Sequence, residues 1–334
     1  MKIRALTAPS ARSGLSFSEM DVNPDGEHDV VIRVTHCGIC HSDIHMIDND
    51  WGMSNYPLVP GHEVVGIVEE TGRAITHLRS GDRVGFGWQR GACLQCADCL
   101  GGNENLCDAS QGTITHGYGG FASHLVADGR FAFPLPEGIP SVSAGPLLCA
   151  GITVYGGLRS AGMRGGQRIG VIGIGGLGHL AVAFARALGN EVVAFTTSED
   201  KAKSAVDLGA HEAVVHRDGE FDRPPGKPCD IILSTAPASI ATSAFVNLLA
   251  SDGTLCFVGV PDKPLSIDLF PLLVKRRRIM ASPIGGRSMI TSMLRDADRF
   301  GVAPVVETFP MCKADEALEK VRSNRVRYRA VLVA

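Results

Sequence analysis

The chain lacks an excess of either charge: 32 Lys and Arg stand against 35 Asp and Glu, a formal net charge of −3. That balance makes no field to gather nucleic acid or anionic lipid, and neither is expected as a partner. The basic run Lys275, Arg276, Arg277 and Arg278 is local and reads as a solvated strand entrance. Long uninterrupted apolar runs are missing too. The richest, residues 171–188, holds His179, Arg186 and several glycines, which argues against a membrane span. The opening MKIRALTAPS has no apolar core of the signal-peptide kind, so a cytoplasmic location is expected. No internal repeat is visible. Ten cysteines in 334 residues are too dilute for a disulfide scaffold, and their Cys-x-x-Cys clustering suits a metal better.

A chain of this length exceeds one ordinary core and reads as two domains. Apolar residues at 45% and charged residues at 20% describe a soluble globular protein, and 40 glycines imply many tight turns. Residues 1–135 favour short strands, at 30–35 (VVIRVT), 64–68, 83–86 and 121–126. Turns such as Glu70-Thr71-Gly72 and Arg79-Ser80-Gly81-Asp82 separate them, the pattern of a compact, irregular β-barrel. After residues 146–151 (PLLCAG) strands and helices alternate. Strand-like runs fall at 168–172, 192–195, 213–215, 230–233, 254–258 and 279–282, with helical stretches such as 240–250 between most of them. That is the pattern of a doubly wound parallel sheet.

Two groups of residues point to metal. Cys40 and His62, expected on separate strands, pair a soft thiolate with an imidazole, as zinc prefers. Ser42, Asp43 and His45 lie between them, of types that pass protons and hold ligands in place. Taken alone this pair is a weak signal. Cys93, Cys96, Cys99 and Cys107, spaced C-x2-C-x2-C-x7-C, form a strong one: four thiolates that close a tetrahedron around zinc and leave no open position. Disulfides, an iron–sulfur cluster and a nucleic-acid zinc ribbon are the alternatives. A reducing cytosol disfavours the first and the spacing the second. The acidic Asp98, Glu104 and Asp108 disfavour the third.

A third pattern points to a dinucleotide. The strand RIGVI runs straight into Gly173, Ile174, Gly175, Gly176, Leu177 and Gly178, and Leu177, Leu180, Phe184 and Leu188 then recur at helical spacing. Between strand and helix a GxGxxG has three jobs: a tight turn, room for a pyrophosphate, and close helix–strand packing. The phosphates meet the positive end of the helix. Where an NAD site carries Asp or Glu, the second strand here ends in Thr196-Thr197-Ser198 with Lys201 beyond. Hydroxyls and a cation accept a 2′-phosphate, so NADP(H) is expected over NAD(H); Glu199 and Asp200 are the contrary signal.

The segments CGICHSDIH, YPLVPGHEVVG, the four-cysteine lobe, GGFASH, PLLCAGITVY, GIGGLGH and SPIGG span nearly the whole chain. Together they resemble the zinc-dependent medium-chain alcohol dehydrogenases, in the cinnamyl alcohol dehydrogenase branch. The resemblance implies an α/β fold. A GroES-like β-barrel catalytic domain would occupy residues 1–150 and be completed by 285–334, with a Rossmann NADP-binding domain over 151–284. It implies a catalytic zinc on Cys40, His62 and Cys149, with Glu63 as neighbour and occasional ligand, and a second, structural zinc on the four clustered cysteines. Asp43 would orient His62, and Ser42 would hand a proton by way of the nicotinamide ribose to His45. Thr196, Thr197, Ser198 and Lys201 would hold the adenine phosphate. Thr153, Thr235, Gly259 and the Ser282-Pro283-Ile284 backbone would meet the nicotinamide, and His41 and Arg329 the pyrophosphate.

The implied reaction moves a hydride between NADP(H) and a primary alcohol or aldehyde, with aromatic or cinnamyl substrates as a class. The chain departs from that branch at Trp51 and Trp88, with Met53 nearby, where smaller side chains are common. The indoles either narrow the cleft, stack on an aromatic substrate, or pack the barrel. Cys37, Cys229, Cys256 and Cys312 read as buried small hydrophobes, with Cys37 facing the wrong way to join Cys40. Two other readings compete. Thr196 and Cys149 speak against an NAD-dependent polyol or amino-alcohol dehydrogenase of the same superfamily, and the complete ligand set speaks against a non-enzymatic nucleotide-binding protein. A homodimer or homotetramer is expected, with edge strands at 254–260 and 279–282 pairing across a two-fold axis.

Overall fold

The computed structural model describes every residue except 218, 224, 237–239 and 262. It contains two compact units, Met1–Cys149 with Gly286–Ala334, and Ala150–Gly285.

The first unit is built on a mainly antiparallel sheet. Its order is Val306–Pro310, Arg329–Val333, Asp29–Ile39, Glu63–Thr71, Arg83–Phe86, Ala132–Pro134, and His124–Asp128 also pairs with Asp29–Ile39. The β-branched run of Asp29–Ile39 is buried along most of its length, as a strand with neighbours on both sides requires. Ile32, Ile39, Phe86, Phe121, Leu125 and Phe131 fill the core beneath it. The C-terminal strand Arg329–Val333 lies between Val306–Pro310 and Asp29–Ile39, with Ala330 opposite Ile39. Strand alternation gives no hint of that pairing. One register decides the chemistry: Gly38 lies opposite Glu63. Cys40 follows the first strand and His62 precedes the second, so both fall at the same end of one ladder. They flank the strands rather than lying on them.

The second unit carries a seven-stranded sheet in the order Glu220–Phe221, Glu212–Arg217, Glu191–Thr196, Arg168–Ile172, Cys229–Ser234, Leu249–Phe257, Arg278–Ala281. All neighbours are parallel except the first pair. The chain starts in the middle, adds three strands outward on one side, then returns to the other side of Arg168–Ile172. That reversal opens a crevice at the carboxyl ends of Arg168–Ile172 and Cys229–Ser234, where doubly wound sheets bind ligands.

Three expectations need correction. The helix expected over 240–250 spans only Thr242–Asn247, because Leu249 already pairs with Cys229 in the next strand. Of the two strands expected at an edge, only Arg278–Ala281 lies at one; Leu249–Phe257 has a partner on each side. Cys312 is exposed, since it sits in the short turn Met311–Lys313 rather than in a strand or core helix. Among the described residues one helix, Ser141–Ser160, is long and apolar enough to cross a membrane, and 83% of its apolar window is buried in the protein.

The glycine loop behaves as its spacing predicts. Gly173 turns at φ +84°, and a Cβ on Gly178 would lie 1.8 Å from the Gly173 carbonyl oxygen. A Cβ on Gly175 would meet nothing. Gly178→Ala is therefore expected to lower stability by about 1–3 kcal/mol through overpacking. Gly175→Ala is expected to stay within about 0.5 kcal/mol of the parent. Urea unfolding of the two variants checks the contrast.

Candidate metal centre and dinucleotide crevice

Cys40 ends the Asp29–Ile39 strand and serves as the N-cap of the helix His41–Asp48. Asp43, in the first turn of that helix, is fully buried and makes three hydrogen bonds. Its Oδ2 accepts from the Cys40 backbone N–H at 2.9 Å, and its Oδ1 from the Gly61 N–H at 2.9 Å and His62 Nδ1 at 2.8 Å. An ionised carboxylate only accepts, so Nδ1 of His62 donates to it and Nε2 is the nitrogen that a metal would take, displacing its proton. That nitrogen lies 3.2 Å from Cys149 Sγ, and Cys149 Sγ lies 3.9 Å from Cys40 Sγ. With zinc–sulfur bonds of about 2.3 Å, the edge of a tetrahedron is about 3.8 Å. The sulfur separation fits that edge. Ligand atoms of Cys40, His62, Glu63 and Cys149 all lie within 4.8 Å of one another, and all four residues are buried.

The electrostatics also call for a cation. A hydrogen bond shared with Cys149 holds Cys40 well below the usual thiol range, and the same bond, with burial, drives Cys149 well above it. Burial alone would lower His62, but the Asp43 carboxylate overcomes it and the imidazole ends well above its ordinary range. Burial raises Glu63 against the pull of Arg329. Arg329 is 4% exposed and its guanidinium grips Glu63 Oε1, across 266 residues of sequence. Glu63 Oε2 is buried with no hydrogen-bond partner among the described residues. A buried acceptor beside two thiols is an unsatisfied cost that a divalent cation removes. Gly38 makes room for it, since a Cβ there would lie 1.9 Å from Glu63 Oε2.

Around this centre lie the other expected residues of the first unit. Ser42 Oγ is 3.7 Å from Cys40 Sγ. His45 follows three residues later on the same helix face, and its Nδ1 lies 2.7 Å from Asp50 Oδ2. Trp51 stacks obliquely on His45 at 5.1 Å, Trp88 meets Trp51 edge-on at 6.2 Å, and Trp88 meets His62 edge-on at 5.0 Å. Trp51 is 45% exposed, whereas Trp88 packs against the core of the first unit. His41 is exposed. Cys37 is buried, its thiol pushed up by burial, and it is absent from the metal cluster.

Cys93, Cys96, Cys99 and Cys107 also bring their sulfurs within 4.8 Å of one another. Cys93 lies 3.9 Å from Cys99 and 3.5 Å from Cys107, again near the zinc tetrahedron's edge. All ten cysteines are free. Backbone N–H groups of Gln95 and Cys96 lower Cys93 to about 6. Burial and the neighbouring sulfurs push Cys99 up to about 12. A cation among the four sulfurs would offset that rise at Cys99.

In the second unit the expected cofactor residues collect at strand ends. Gly173, Thr196, Thr235, Gly259 and Ser282 each end or follow a strand of the sheet at its carboxyl side. Thr235 Oγ1 donates to the Gly173 carbonyl at 2.8 Å, fixing the loop's start. The open space over Gly175 is the room a pyrophosphate needs. Thr196 is 2% exposed, so the more accessible groups are those of Thr197, Ser198 and Lys201. Ser198 also caps the helix Glu199–Asp207 by accepting from the Lys201 N–H. Thr153 is buried on the helix Ile152–Ser160.

Residues 26–137 match the alcohol dehydrogenase GroES-like domain, and residues 176–299 match the zinc-binding dehydrogenases. An aldehyde reductase of Synechocystis sp. is 43% identical, with 99% of this chain and 98% of that protein covered. A cinnamyl alcohol dehydrogenase of Sorghum bicolor superposes with TM-score 0.93 at 35% identity, over 100% of this chain and 98% of its own. The CAD of Helicobacter pylori, solved with NADP(H), gives 0.91 at 28% identity over the same shares. The chain belongs to the zinc-dependent medium-chain alcohol dehydrogenases, two-domain oxidoreductases with a GroES-like and a Rossmann-type part. Within them it stands in the cinnamyl alcohol dehydrogenase-like branch.

Sequence reasoning missed Asp50 as the partner of His45 and Gly38 as the space for Glu63. It also assigned Arg329 to a phosphate without foreseeing its pair with Glu63. A prediction follows for the buried acceptor. Asp43→Asn keeps the volume but removes the charge that fixes His62, and is expected to weaken zinc binding about 10- to 100-fold. Competition with a chromophoric chelator measures this, and parental affinity would exclude the role given to Asp43.

Proposed function

We propose that the protein is an NADP(H)-dependent aldehyde reductase carrying two zinc ions per chain. The observation that carries the reading is the convergence of Cys40, His62 and Cys149 on one buried point. Three protein ligands leave a zinc position open for substrate. When bound, zinc supplies a Lewis acid to the alcohol or aldehyde oxygen, and the nicotinamide gives or takes the hydride. The chain's own residues do the rest. Asp43 holds His62 in its ligating tautomer, and Arg329 compensates the buried charge of Glu63. Ser42, beside Cys40, exchanges the proton with the substrate oxygen. His45, one turn further, carries it to solvent, with Nδ1 held by Asp50 and Nε2 left to accept. Cys93, Cys96, Cys99 and Cys107 would hold the second zinc.

Thr197, Ser198 and Lys201 support NADP(H), with Thr196 buried beneath them. Gly173 to Gly178 would take the pyrophosphate, and Thr153, Thr235, Gly259 and residues Ser282, Pro283 and Ile284 the nicotinamide end. Trp88 beside His62, with Trp51 against Trp88, favours a flat, apolar substrate, so aromatic and cinnamyl aldehydes lead the candidates. Ten free thiols suit a cytoplasmic location. A homodimer through the open edge Arg278–Ala281 is supported by the helix Leu269–Lys275, which exposes Leu269, Phe270, Leu273 and Val274.

Initial rates with cinnamaldehyde, benzaldehyde and straight-chain aldehydes, each with NADPH and NADH, test the reading. Preference for NADPH and for the aromatic aldehydes is expected; an NADH preference would overturn the phosphate pocket. Ser42→Ala is expected to nearly abolish turnover at normal zinc content, and unchanged turnover would remove the relay. His45→Gln is expected to cause a milder loss, concentrated at low pH in alcohol oxidation. A pH–rate profile overlaying the parent's would drop His45 from the mechanism.

A further inference from the structure

His179 is 1% exposed on the helix Gly178–Ala187, whose other buried side chains include Leu180, Ala181, Val182, Phe184 and Ala185. A buried imidazole in apolar company is costly unless it is hydrogen-bonded. Its Nδ1 lies 2.9 Å from the carbonyl oxygen of Gly175. Its own backbone N–H reaches the same oxygen at 3.2 Å. A carbonyl oxygen only accepts, so Nδ1 carries the proton, and ring and backbone together occupy both lone pairs of Gly175.

We propose that His179 is a positioning residue for the cofactor's phosphates, locking the peptide between Gly175 and Gly176. In a planar trans peptide the C=O and N–H point in opposite directions. With the Gly175 oxygen drawn down onto the first turn of the helix, the Gly176 N–H turns away from the helix, toward the loop's open side. A Cβ on Gly175 would meet nothing, so the loop is open at this residue. Glycines on both sides make this the peptide of the loop most free to flip. The flipped form would present a carbonyl oxygen to an anion. The second hydrogen bond from the ring holds the donor-out form before the ligand arrives, so less ordering is left for binding.

The inference rests on the NADP(H) reading of this crevice, and its test separates the two. His179→Leu keeps the apolar volume without the donor; His179→Asn places an amide N–H near the position of Nδ1. Binding is followed by NADPH fluorescence on the zinc-loaded protein, with 2′-AMP, which lacks the pyrophosphate, as the control ligand. His179→Leu is expected to weaken NADPH about 5- to 10-fold, the worth of one hydrogen bond. Binding of 2′-AMP and kcat at saturating NADPH should stay at the parental level, and His179→Asn should recover most of the NADPH affinity. Parental NADPH affinity in His179→Leu, no recovery in His179→Asn, or an equal loss for 2′-AMP would each overturn the positioning role. Failure of the parent chain to bind NADPH would overturn the cofactor reading and this inference with it.

Discussion

The metal centre depends on one buried carboxylate. Asp43 ties together three backbone or side-chain donors from two segments: Cys40 at a helix start, and Gly61 and His62 at a strand start. Charge-assisted bonds of this kind are short and directional, so they fix a ring's orientation as well as its proton. Without them, His62 would have no reason to aim Nε2 at the two thiols. Placement in the first helical turn adds the favourable end of the helix dipole. The same carboxylate thus caps a helix and selects a ligand's tautomer.

Behind it lies a second buried charge system with a different purpose. Glu63 and Arg329 form an ion pair that burial makes expensive, and only mutual neutralisation sustains it. Arg329 opens the C-terminal strand, which pairs with Asp29–Ile39, so the ion pair reaches across that strand to the start of Glu63–Thr71. The second unit organises its ligand site with fewer charges, through backbone turns, strand ends and a helix N-terminus. Arg168, a buried cation, sits at the start of its strand with Glu191 and Glu212, away from the carboxyl ends.

Local motifs were legible in the sequence, because their members are close in the chain and their spacing is the geometry. Four cysteines within fifteen residues, the glycine loop between strand and helix, and the alternation of strand and helix all belong to this group. Long-range partners were not legible. Cys149 lies 109 residues from Cys40 and joined the ligand set only through family resemblance. The pairing of Glu63 with Arg329, and the space that Gly38 leaves for it, depend on strand register. Pattern alone does not specify that register. Asp50 reaches His45 only because Asn49 ends the helix in a left-handed turn. The sheet edge was misplaced because a periodic strand pattern says nothing of how many neighbours a strand has.

The central claim is that Cys40, His62 and Cys149 hold a zinc distinct from the one in the four-cysteine lobe. Native mass spectrometry of the parent chain and of Cys149→Ser tests it most directly, with far-ultraviolet circular dichroism confirming the fold. The account predicts two zinc ions per parent chain and one in the variant, with aldehyde reduction lost. Two tightly held zinc ions in Cys149→Ser, or one in the parent, would contradict it.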